Sequence, residues 1–156
     1  MTNNVVAAER REANVERYAT FGEIERLVRS FEDCSLPKQE WTHRAHMTAA
    51  LWYLVHHSGR EATSRIRNGI KRFNAAKGGV TTPTGGYHET ITLFWICIIS
   101  RYLLRADAGR TLVELVNDFI ERWGSKNLPL EYYSRELLFS LRARTSWVEP
   151  DLKPFA

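Results

Sequence analysis

Apolar residues recur at helical spacing through most of the chain, and no stretch alternates as a strand requires. Ile24, Leu27, Val28 and Phe31 keep the i, i+3, i+4, i+7 register behind Thr20-x-x-Glu23, a capping box that marks a helix start. A second helix is predicted from about Gln39 to His57, stopped at Ser58-Gly59, and a third over residues 61–76 with Ile66, Ile70 and Phe73 inward. Thr90 to Ser100 holds no charged residue, so a helix from Tyr87 to Arg105 is expected at the centre of the domain. Thr111-x-x-Glu114 opens another amphipathic helix through Trp123. A last helix is predicted over residues 130–141. The prolines at 150 and 154 keep the tail irregular, with its aromatic residues laid across the helices. The pattern predicts an all-α fold, a single-domain helical bundle of five to six helices over residues 20–156, with residues 1–19 as a polar N-terminal helix or arm.

Composition changes this picture little. The chain has 156 residues, 44% hydrophobic and 26% charged, enough for one domain with a core of its own. A net charge of +4 permits an anionic ligand without arguing for one. Two cysteines, Cys34 and Cys97, lack metal-site spacing and form no disulfide framework, so a reducing cytoplasm is the simpler setting. The N-terminus is not a signal peptide, and the apolar run after Glu89 is too short to span a bilayer. The basic face of the third helix, with Arg65, Arg67, Lys71 and Arg72, carries no nucleic-acid motif beside it and reads as a solvated face.

The chemistry gathers at two short stretches. In His43-x-x-His46 the two imidazoles fall side by side on one helix face, where both can bind one metal. In Gly85-Gly86-Tyr87-His88-Glu89 a glycine-rich loop delivers a His-Glu pair to the start of the most apolar helix. Three histidines and a carboxylate from two buried helices make a bundle metal set: His43, His46 and His88 as ligands, with Glu89 as fourth ligand or general base. Each has a plainer reading, a hydrogen-bonded core histidine or, for Glu89, an acid at a helix N-terminus. Imidazoles with a carboxylate suit iron or copper, with zinc as the alternative. His57 shares the stripe but lies about 21 Å along the helix from His43, too far to join.

Trp41, Tyr87, Trp95 and Tyr133 are candidate pocket walls, against a reading as ordinary core aromatics. Arg135 is a candidate for a substrate carboxylate, against a surface ion pair with Glu136. The function expected from these residues is a metal-dependent enzyme acting on a small molecule, inclined to redox or oxygen chemistry. The alternative is a metal-free helical binding module for a protein or an anionic ligand.

The strings Trp41-Thr42-His43-Arg44-Ala45-His46-Met47 and Gly85-Gly86-Tyr87-His88-Glu89-Thr90-Ile91-Thr92 resemble a family of small bacterial helical proteins of unassigned function. Tyr133-Ser134-Arg135-Glu136 and the Pro150-Asp151-Leu152 tail extend the resemblance over about residues 20–155. It implies a bacterial cytoplasmic protein and brings no mechanism.

Overall fold

Each long helix begins at a side chain that accepts a hydrogen bond from the backbone N–H three residues on. The caps are Thr20, Thr42, Ser58, His88 and Thr111, with distances of 3.1–3.3 Å. A cap satisfies one of the amides that an α-helix leaves open at its start. The computed structural model describes residues 17–155. Its long helices are α1 (Phe21–Glu32), α2 (His43–His56), α3 (Gly59–Ala76), α4 (Glu89–Arg105) and α5 (Leu112–Trp123). A 3-10 turn, Lys38–Glu40, precedes α2, and three short helices follow α5: α6 (Pro129–Tyr132), α7 (Arg135–Leu138) and α8 (Leu141–Thr145). The protein is all-α, and no strand forms among the described residues.

The helix with the most neighbours is α2, which packs on α1, α3, α4 and α5. Its buried face includes Ala45, Ala49 and Ala50 with Met47, Leu51 and Tyr53. Small side chains let four helices approach one axis, and the charge-free segment in α4 forms one wall around it rather than the hub. In α4, Phe94 and Ile99 are fully buried, and the helix packs on α2, α3 and α8.

The predicted last helix is instead three separate turns. Ser134 and Ser140 each accept from the amide three residues on, at 3.2 and 3.1 Å, and Tyr133 between two of the turns is extended. These serines restart the helix, because their side chains compete for the backbone that a continuous helix would use. The tail is tied as its aromatic content suggests: Phe155 stacks on Tyr132 and Trp147, and Tyr133 donates its hydroxyl to the Val148 carbonyl. Asp151 accepts from both the amide and the hydroxyl of Ser134.

The N-terminal arm lies mostly outside the described residues. Residues 17–20 belong to no helix, and Tyr18 exchanges two backbone hydrogen bonds with the Asn117 side chain, each 2.9 Å. No helix among the described residues is long and apolar enough to cross a membrane.

Candidate functional site

A cavity of about 630 Å³ opens between α2, α3, α4 and the 79–88 loop, within the size range of small-molecule sites. Helix α2 brings His43 and His46 to its wall, α4 brings Trp95, the 3-10 turn brings Lys38, and α8 brings Arg144. The loop reaches the cavity through a left-handed glycine: Gly86 has φ +85°, and a Cβ there would stand 2.8 Å from the Thr81 Cα. Only glycine takes that conformation without strain and permits that approach.

The histidines at the start of α2 do not cap the helix. Thr42 is the cap, so both imidazoles are left to the first turn's side. The His46 ring meets the Trp41 indole edge-on at 4.1 Å, and His43 packs on Trp95 at 5.0 Å. No hydrogen bond holds the His46 ring among the described residues, and His43, beside the Gly124 carbonyl, leaves its Nε2 buried without a partner. Burial, and then the neighbouring His43, lower the His46 pKa to about 4. Burial also lowers that of His43, against the nearby Gly124 carbonyl, which favours the protonated ring. Both are therefore neutral imidazoles at pH 7. The indole Nε1 of Trp41 is a further buried donor with no acceptor. Orphaned buried polar atoms are rare in folded proteins and ask for a partner.

His88 and Glu89 are used by the fold. His88 is itself the cap of α4: Nδ1 accepts from the Ile91 amide at 3.1 Å, and Nε2 donates to the Leu138 carbonyl at 2.7 Å. These two partners fix the neutral tautomer and occupy both nitrogens. Burial lowers the His88 pKa, opposed by the Leu138 carbonyl and assisted by the Arg144 charge. Glu89 pairs with Arg67 through Nε at 3.0 Å and Nη2 at 2.5 Å, and accepts from the Tyr87 hydroxyl at 2.5 Å. Burial pushes the Glu89 carboxyl up, but the Arg67 and Tyr87 hydrogen bonds outweigh it and hold it below the usual range. Burial and Glu89 together push the Tyr87 hydroxyl up to about 12.

The four residues singled out as metal ligands thus divide into two pairs. His43, His46 and His88 all line the cavity, whereas Glu89 lines a smaller neighbouring one with Lys71 and Arg144. Among the described residues no group of three or more His, Cys, Asp or Glu side chains is placed to hold one ion. Of the candidate walls, Trp41, Tyr87 and Trp95 line the cavity. Tyr133 is fully buried beneath the tail, and Arg135 is exposed and lies over the Phe139 ring. Sequence reasoning missed Lys38 and Arg144 at the cavity and Arg67 as the partner of Glu89. Arg67 had a signal, since it sits on the charged face of α3 without an acid one turn away; Arg144 had none.

This fold and cavity define an all-α protein with a pocket between its helices. The chain matches no protein-family model, no curated protein and no solved structure.

Proposed function

We propose that the protein binds a small organic molecule in the cavity at the start of α2. The observation that supports this is the cavity itself, about 630 Å³, in which the His43 and His46 rings stand beside apolar side chains such as Met47, Ile91 and Trp95. A neutral imidazole offers a donor on one nitrogen and an acceptor on the other. A few such groups set in an apolar wall orient a ligand, while apolar burial supplies most of the affinity. As a general base His46 is weak, because a pKa of about 4 lies far below pH 7.

A second reading, metal-dependent chemistry on a small molecule, is favoured by one observation. His43 and His46 stand on one helix face at i, i+3, both held neutral, and neutral imidazole is the form that ligates iron, copper or zinc. In this reading the pair supplies two ligands, and His88 and Glu89 join only on leaving Leu138 and Arg67.

One experiment separates the readings. Protein purified without a histidine tag is reconstituted with iron, copper or zinc, and metal per chain is measured for wild type, His46→Ala and His57→Ala. His57 faces Glu61 at 3.5 Å, away from the cavity wall, and serves as control. Near-stoichiometric metal in wild type and His57→Ala, lost only in His46→Ala, would establish the metal site. Equal metal in both variants removes the metal reading. Small-molecule binding is then read by thermal shift against a fragment set, and an absence of hits sensitive to His46→Ala removes the cavity reading.

A further inference from the structure

The cavity wall carries two fixed cations, Lys38 and Arg144, and no aspartate or glutamate. Arg144 is the more telling. It is 8% exposed, and its hydrogen bonds run to neutral oxygens: Nε to the Pro83 carbonyl at 3.2 Å, and Nη1 to the Gly86 and Tyr87 carbonyls at 3.0 and 3.4 Å. No carboxylate lies within ion-pair reach of it among the described residues, and Nη2 has no acceptor there. A guanidinium has five N–H donors and stays charged at any pH a protein survives. Burying such a charge is costly unless an anion accompanies it.

Three backbone carbonyls explain why Arg144 holds the loop, but their dipoles do not cancel a full charge. The nearest acid in the neighbouring cavity, Glu89, is already taken by Arg67 and Tyr87. The charged donors on the wall are Arg144 and, at the rim, the exposed Lys38 ammonium. Around them the surface is apolar and aromatic, with Met47, Ile91 and Trp95.

We infer that the ligand of this cavity is an organic carboxylate with an apolar body, its charged end turned to Arg144 and its body laid between Trp41 and Trp95. The inference rests on the cavity reading above and adds the charge and chemical class of the ligand. Arg144 supplies the counter-charge from a site already ordered by the loop, so little side-chain entropy is lost when the carboxylate arrives. Lys38 at the rim adds a screened, weaker attraction.

The test compares acids with their neutral amides, which share size and shape. Calorimetric titrations of the full chain at pH 7 use 2-naphthoate against 2-naphthamide, and octanoate against octanamide. The expected result is an acid bound at least tenfold tighter than its amide in one pair or both. Arg144→Gln should erase that preference, while Lys38→Gln should weaken it only two- to threefold. Because Arg144→Gln also removes loop anchors, a second measurement uses wild type alone. In ¹⁵N-labelled protein, naphthoate should shift the Arg144 Nε–H and Trp41 Nε1–H resonances, and naphthamide should leave the former in place. Equal affinity for acid and amide, or a bound acid that leaves the Arg144 resonance unmoved, overturns the carboxylate inference and leaves the cavity reading standing. Failure of all four compounds to bind overturns the cavity reading itself.

Discussion

Two helix starts in this protein carry histidines, and they treat them in opposite ways. At the start of α2, Thr42 takes the capping position and accepts the Ala45 amide at 3.2 Å. His43 and His46 then stand in the first turn with no amide to cap, and His43 alone meets a backbone group, the Gly124 carbonyl. At the start of α4 the capping position is itself a histidine, and His88 accepts the Ile91 amide. Its other nitrogen closes a 50-residue loop to Leu138. One residue type is therefore structural at one helix and unspent at the other, and the difference is set by the residue at the cap. An imidazole with both nitrogens bonded inside the protein is held by the fold, whereas His46, beside the cavity and without such bonds among the described residues, is left for a ligand.

Removing His88 should give the largest effect. His88→Ala loses the α4 cap and leaves the Leu138 carbonyl without its donor, for an expected loss of about 2–4 kcal/mol in urea unfolding. His88→Asn can restore the cap but not the Leu138 bond and should recover about half of it. A wild-type midpoint for His88→Ala would erase the contrast between the two helix starts.

Gly86→Val should come next. It forces a β-branched residue to φ +85° and sets a Cβ against Thr81. The strain is expected to cost about 2 kcal/mol or more and to loosen the carbonyls that Arg144 grips. Thermal melts combined with ligand titration check this: ligand binding should fall even where the fold persists, and loss of fold without any window of impaired binding would make the loop purely structural.

Acid should sharpen the comparison from the other side. A buried neutral histidine favours the unfolded chain wherever only that chain takes the proton. Above about pH 6.5 His46 is neutral in both states and imposes no penalty. As pH falls from 6.5 toward about 4, the unfolded state binds the proton first, so stability drops, and the penalty levels off below that range. The slope difference between wild type and His46→Leu isolates this from carboxylates such as Glu89, whose contribution is also lost in acid. Parallel stability–pH curves for the two proteins would show that His46 is not buried as described.

The smallest expected effect is the most diagnostic. His43→Leu and His46→Leu should change stability by under about 1 kcal/mol, and His43→Leu can stabilise, because it replaces an unpaired buried nitrogen with an apolar group of similar size. Both should weaken ligand binding at the cavity, and in the metal reading abolish metal binding. A loss for His46→Leu as large as that for His88→Ala would put the two helix starts in the same class.

Helix positions were legible in the chain because caps and helical spacing are local. Thr20 and Thr111 announce their helices with a glutamate three residues on, and both boxes form. The all-α class, the placing of the long helices and the glycine at 86 follow from the same short-range rules. The division of the last helix into three turns was also written locally, in Ser134 and Ser140, but hydrophobic spacing outweighed it in the reading.

The roles of the histidines belong to the tertiary structure. Whether His88 has a free nitrogen depends on Leu138, and whether Glu89 carries an open charge depends on Arg67, 22 residues earlier. Spacing along one helix shows which side chains share a face, but not which carbonyl or guanidinium another element brings to meet them. Arg144 makes the same point most plainly. Nothing near it in sequence marks it as buried. Only the packing of α8 against α4 and the 83–87 loop leaves its charge at the cavity with neutral partners, because a chain fixes its neighbours locally and its counter-ions only on folding.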